Sequence, residues 1–190
     1  MFNLQYDTPQ EWVDTVLNNL DAFLLDHAAC ERKASANAIS FIVRYPDKSE
    51  LVTTMATVAQ DEMEHFNLMT EIVYNRGLQY SKDTKDPYIN QLLSHCRSTH
   101  PERLIDRLLL FSIVEGRGCE RFHLLSLALP DGELKSIYQE LVRSESRHHM
   151  VGVQLVKTLY PESDWVQRYD EFLTIEADIV RNLPIRSALH

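Results

Sequence analysis

Two Glu-x-x-His elements stand out in this 190-residue chain: Glu62-Met63-Glu64-His65 and Glu145-Ser146-Arg147-His148. Residues three apart share a helix face, so each pair can aim a carboxylate and an imidazole at one point, as a metal site requires. The motif alone means little. Fifteen Glu and eight His in 190 positions give about 0.6 matches by chance, and a third match, Glu120-Arg121-Phe122-His123, is present.

Spacing supplies the discrimination. Glu31 precedes Glu62 by 31 residues and Glu115 precedes Glu145 by 30. Glu31 to Glu115 is 84 residues, Glu62 to Glu145 is 83, and His65 to His148 is 83. The chain thus carries one Glu and then one Glu-x-x-His, twice, at nearly constant offset. Apolar neighbours at helical spacing put these residues on inward faces: Leu24, Ala28 and Ala38 around Glu31, Met55, Val58 and Met69 around Glu62 and His65. Leu108, Phe111 and Phe122 do the same for Glu115, and Leu141 and Leu155 for the last pair.

Helices must position these groups. Thr8-Pro9-Gln10-Glu11 reads as a capping box with Pro at the first helical position. A helix is predicted from there to about Arg44, and a second from Asp47 to Arg76, stopped by Gly77. Asp86-Pro87 opens a short helix to about Arg97, and His100-Pro101 a long one to Leu129. After the turn Pro130-Asp131-Gly132 a fourth long helix covers 133–159, and a last one follows over about 163–182. The short connections make two antiparallel hairpins, and the 24 residues at 77–100 can cross the length of a bundle. The expected fold is all-α: a ferritin-like four-helix bundle with one long crossover and short flanking helices. It forms one domain over 1–190, with the core at about 8–160.

Composition agrees. Only 5 Gly and 7 Pro in 190 residues argue against a turn-rich β fold, and 44% apolar residues argue against disorder. Three widely spaced Cys without a C-x-x-C pair fit a reducing, cytoplasmic setting, and the N-terminus shows no signal-peptide pattern. The longest uncharged apolar stretch, 108–114, is far short of a membrane span. A net charge of −9 disfavours a protein that simply coats nucleic acid, yet leaves room for a nucleic-acid enzyme with a local basic patch.

Four carboxylates in an apolar core need compensation, since each unpaired buried charge costs several kcal/mol. Two divalent ions would supply it, and carboxylate with imidazole suits iron or manganese rather than structural zinc; the alternative is coincidental buried acids satisfied by arginines. Other residues are weaker candidates. Glu120 and His123 lie off the Glu115 face and read as surface groups or as partners of a ligand, Glu64 reads as solvated, and His95 and His149 read as surface groups. His27, one turn before Glu31, either backs that ligand or is a satisfied core histidine. Cys30 and Cys119 read as packing residues, and Gly116 and Gly118 either leave room beside Glu115 or allow close helix packing.

The strings DHAACERKA, AQDEMEHF, VEGRGCERF and SESRHH resemble those of the tRNA 2-methylthio-N6-isopentenyladenosine hydroxylases, the MiaE family. The resemblance runs from about Thr8 to Tyr160 and is less clear beyond. It implies a di-iron monooxygenase that uses O2 to hydroxylate the isopentenyl side chain of a modified adenosine beside the anticodon of tRNA. Electrons would come from a reductase or ferredoxin partner. The implied iron ligands are Glu31, Glu62, His65, Glu115, Glu145 and His148.

Other functions share parts of this pattern. A ferroxidase or iron-handling protein has the same ligands. A radical-generating subunit wants a tyrosine near a ligand, and Tyr138 is the near candidate. A helical interaction module would bind no iron. Arg32, Lys33, Arg117, Arg121, Arg143 and Arg147 share the helix levels of the ligands. They read either as a phosphate-binding ring for tRNA, or as solvated charges and partners of buried carboxylates.

Overall fold

The computed structural model describes residues 4–83 and 85–190. Its regular elements are all helices: α1 (Gln10–Asn18), α2 (Leu20–Arg44), α3 (Ser49–Asn75), α4 (Pro87–Ser94), α5 (Glu102–Ala128), α6 (Glu133–His148), α7 (Val151–Leu159) and α8 (Trp165–Asn182). They fall into two compact units. One comprises Asp14–Thr84 with Arg186–Leu189; the other comprises Met1–Val13, Lys85–Ile185 and His190.

The first unit is the hairpin α2–α3. Asp21 binds Arg76, Arg32 lies over Phe66 and Ser35 reaches Ala59, so the register runs in opposite directions along the two helices. Phe23, Leu24, Ala28, Ala38 and Phe41 of α2 face Leu51, Met55, Val58, Met69 and Val73 of α3, all at most 2% exposed. Each large side chain in this seam stabilises by roughly 1.5–3 kcal/mol. Gly77, at φ 74°, ends α3 as expected. Its amide bonds Tyr74 O and the Leu78 amide bonds Val73 O, a paired closure that only a residue comfortable at positive φ allows cheaply. The C-terminal segment also belongs to this unit. Ser187 Oγ donates to Asn19 O and the Leu189 amide to Asp26.

The single helix expected from 8 to 44 is broken at Asn19, which takes φ −142°, ψ 55°. Two successive asparagines are poor helix formers, and the break separates α1 from α2. The expected capping box is also replaced. The Thr8 hydroxyl donates to Glu120 Oε2 and accepts from Arg117 and Arg121, so it has no acceptor capacity left for the α1 amides.

In the second unit α5 is buried on most of its faces, because α4, α6, α7 and α8 all pack on it. The expected fourth long helix is two, α6 and α7, broken at 149–150. The cause is tertiary. The Val153 amide donates to Ser112 Oγ of α5 at 3.0 Å, and a side chain that captures an amide in this way opens the helical ladder. Gly152 lets α7 come this close, since a Cβ there would sit 1.9 Å from Leu108 O. Backbone cannot yield as a side chain tip does. Gly152→Ala is therefore expected to destabilise by about 3 kcal/mol, read from the urea midpoint, whereas Gly118→Ala, whose Cβ would meet nothing within 4 Å, should do far less. An unchanged midpoint for Gly152→Ala would refute this account of the break.

The short crossover helix starts as expected. Asp86 accepts from the Tyr88 and Ile89 amides and caps α4. Burial pushes its carboxyl pKa up, but the hydrogen bond and charge of His190, with the two amides, outweigh this and hold it at about 2. A carboxylate held low stabilises above its unfolded pKa of about 3.9, and that contribution is lost as the pH falls toward 2. Asp86→Asn should thus melt below wild type at neutral pH by the equivalent of about 1 kcal/mol, and the gap should close between pH 4 and 2. A gap independent of pH would reject the charge as its source.

Candidate metal centre

Each unit carries one triplet of ligand-type side chains. In the first, α2 supplies Glu31 and α3 supplies Glu62 and His65. Ser35 Oγ donates to Ala59 O at 2.7 Å, and this buried bond fixes the register that sets Glu31 opposite the Glu-x-x-His turn. One ligand atom from each residue lies within 4.8 Å of the others. His65 Nδ1 is 3.4 Å from Glu62 Oε2 and 3.8 Å from Glu31 Oε2. Glu31 and Glu62 are 4% and 0% exposed, so two carboxylates converge almost out of water.

In the second unit α5 supplies Glu115 and α6 supplies Glu145 and His148. Their ligand atoms also lie within 4.8 Å of one another. Glu145 and His148 are buried, Glu115 half-buried, and His148 Nδ1 is 3.0 Å from Glu145 Oε2. Cys119 Sγ points at Val142 O, 3.5 Å away, and sets the α5–α6 register. Burial, with the charges of Glu145 and Glu115, pushes its thiol up to about 12. It stays a neutral packing group and no thiolate ligand.

The donor set fits a divalent cation. Each triplet offers two carboxylates and one imidazole, hard oxygen with borderline nitrogen, in a site from which water is largely excluded. His27 supports it: fully buried, it places Nε2 2.5 Å from Glu31 Oε1. A ligating carboxylate held by a further hydrogen bond keeps its orientation. His27 is thus both a satisfied core histidine and the side chain that orients Glu31.

Other expectations sort themselves. Glu64 is exposed and accepts from Gln60. His95 and His100 of the crossover are exposed, whereas His149, expected at the surface, is half-buried. Tyr138 is fully buried and packs against the Phe122 ring. Glu120 is not solvated: its oxygens take the Thr8 amide, the Thr8 hydroxyl and Arg117 Nη1.

Two of the six basic residues are buried, and for Arg117 the reading as a partner of buried carboxylates holds. Arg117 is 0% exposed and bidentate on Glu176, itself 0% exposed. It also donates to Tyr6 O. Arg121 is 7% exposed and lies 4.9 Å from the Trp12 ring centroid. Burial, and Arg117 nearby, hold its pKa down at about 10. Neither can meet a phosphate. Arg32, Arg143 and Arg147 remain exposed, and Lys33 is half-buried. Glu176 escaped the sequence reading, although its neighbours Phe172, Leu173 and Ala177 mark that face of α8 as buried.

All-helical architecture with two hairpin-borne sets of carboxylates and a histidine is that of the ferritin-like class, whose members use such sets to hold two metal ions. A solved structure described as a protein with aldehyde deformylating oxygenase activity from Synechococcus matches 97% of this chain and 92% of its own, at TM-score 0.91 and 29% identity. The chain belongs to the family tRNA-(MS[2]IO[6]A)-hydroxylase (MiaE), whose profile matches residues 2–190 and so includes the region beyond Tyr160. A tRNA 2-(methylsulfanyl)-N(6)-isopentenyladenosine(37) hydroxylase of Pseudomonas putida is 29% identical, covering 92% of this chain and 85% of that one. Its counterpart from Salmonella typhimurium is 27% identical over 93% and 83%. Among the described residues no helix is long and apolar enough to cross a membrane.

Proposed function

We propose that this protein hydroxylates the isopentenyl side chain of 2-methylthio-N6-isopentenyladenosine beside the anticodon of tRNA, using O2 and two iron ions held by Glu31, Glu62, His65, Glu115, Glu145 and His148. The observation that carries the reading is the repeated donor set: two carboxylate–histidine triplets, buried but for the half-buried Glu115, one on each hairpin, in a member of this family. When bound, the iron would supply, with O2, the oxidising power that hydroxylating a C–H bond demands and no side chain has.

The chain's own residues do the rest. Four carboxylates balance the charge of two divalent ions, which makes their burial tolerable. His27 pins Glu31 and holds it oriented. Phe23 and Met69 in one unit, and Phe122 and Leu141 in the other, are buried apolar side chains of the same helices that carry the donors. Cys119, neutral at physiological pH, adds no competing thiolate. Electrons arrive from a reductase or ferredoxin system, and the reaction takes place in the cytoplasm, where tRNA is.

The test is a reaction of iron-loaded protein with reductant, O2 and an anticodon stem-loop RNA bearing the modified adenosine. Mass spectrometry of the nucleosides should show one added oxygen on the side chain. Rapid iron oxidation with no oxygenated nucleoside would favour an iron-handling protein instead.

A further inference from the structure

An acidic chain that acts on RNA must hold a polyanion, yet two of its six ligand-level cations are buried in ion pairs and cation–π contact. The first unit offers a different means. Beside the Glu31 and His65 turns, the next residues along the helices, Arg32 and Phe66, come together, with the guanidinium 6.0 Å from the ring centroid. Asp83 holds that guanidinium in place, accepting from Nη2 at 2.8 and 3.0 Å. The Phe66 ring continues to Tyr80 (centroids 6.1 Å apart, 35° between planes), and Tyr80 to Tyr74 (5.8 Å, 68°). A hydrogen bond between the Tyr80 and Thr70 hydroxyls at 2.9 Å fixes the middle ring on α3. Tyr74 is 58% exposed and Arg32 also faces solvent, whereas Phe66 and Tyr80 are half-buried. The result is a chain of contacting rings and one guanidinium from the ligand level to the end of α3, open to solvent at Arg32 and Tyr74.

We infer that Arg32, Phe66, Tyr80 and Tyr74 form a stacking platform for unpaired bases of an RNA loop. This inference rests on the proposed tRNA substrate and says how it is held. Single-stranded RNA is recognised by stacking its splayed bases on aromatic rings and arginine planes. Stacking needs no net positive charge, so it suits a chain of net charge −9. The length also suits. Tyr74 lies nine residues beyond His65, about 13 Å along the helix at 1.5 Å per residue. That separation lets a splayed base flanking the reactive adenosine meet the exposed Tyr74 ring while the adenosine side chain reaches the ligand level. Burial already accounts for aromatic side chains elsewhere in this hairpin, Phe23 and Phe41, but an open tyrosine edge-on to a half-buried one is not needed for the core.

The experiment compares wild type, Tyr74→Ala and Tyr74→Phe for binding of the modified anticodon stem-loop RNA over a range of salt. Iron content and hydroxylation are measured alongside. Tyr74→Ala should lose affinity by between about fivefold and a hundredfold, as expected for one lost base–aromatic stack. It should keep wild-type iron content and melting temperature, and the log–log salt slope should not change, because stacking releases no counterions. Tyr74→Phe, which keeps the ring, should bind as wild type does. Wild-type affinity in Tyr74→Ala overturns the platform while leaving the hydroxylase reading intact. A loss accompanied by a salt slope flatter by about one unit overturns stacking in favour of a phosphate contact. Wild type that neither binds nor hydroxylates the RNA overturns both readings, and this arm is scored before any variant.

Discussion

Glu62→Ala and Glu145→Ala are each expected to lose most of their two irons and all hydroxylation, while Glu120→Ala keeps both. Glu62 and Glu145 are 0% and 2% exposed and stand beside a histidine three residues on. Their oxygens therefore have an ion as the partner that best offsets burial. Glu120 instead serves Thr8 and Arg117. Iron should also raise the melting temperature of the wild type, because a ligand that binds only the folded state at a thousandfold above its Kd stabilises by about 4 kcal/mol. For a chain of this size that is on the order of 10 °C. The isosteric Glu62→Gln should abolish that rise yet melt no lower than iron-free wild type, since it removes one of two converging buried charges without opening a cavity. Two irons per chain retained in both alanine variants would refute the ligand set. A Glu62→Gln apoprotein much less stable than wild-type apoprotein would mean that the carboxylate is structural.

Arg117→Met should be the most destabilising change outside the triplets. It leaves Glu176 buried at 0% exposure with Tyr88 Oη as a remaining donor, and takes from Glu120 its guanidinium partner. Breaking a buried pair by removing one partner costs about 3–5 kcal/mol, so the melting temperature should fall by on the order of 10 °C. Arg117→Met with Glu176→Gln should recover part of the loss, because no carboxylate is then stranded at that position. At temperatures where Arg117→Met is folded, its RNA affinity and salt slope should match wild type, since the side chain never reaches solvent. A variant that melts like wild type but binds RNA with a flatter salt dependence would restore the phosphate-contact reading of this arginine.

What the amino-acid sequence determined by itself is the set of properties carried by local spacing. A carboxylate and an imidazole three residues apart share a helix face whatever surrounds them, so the Glu62–His65 and Glu145–His148 pairs were legible. The offsets of 31 and 30 residues to Glu31 and Glu115 became a geometric statement once short turns made each hairpin antiparallel. Helix ends written in the chain were read correctly too, at Asp86-Pro87 and at Gly77, because capping is chemistry of adjacent residues.

Only the tertiary structure decided the features whose causes lie far apart in sequence. The helix 133–159 is broken because Ser112 Oγ, 41 residues away, takes the Val153 amide where Gly152 admits the α5 backbone. Thr8 gave up its capping role to Glu120, 112 residues distant. Arg117 read as a phosphate contact, a solvated charge or a partner of a buried carboxylate until Glu176, 59 residues on, settled it as the last. Periodicity reports which face of a helix is apolar. Whether a charge on that face finds a partner is a property of the packed chain, since the same guanidinium is a solvated group or a buried strut according to what another helix brings to it.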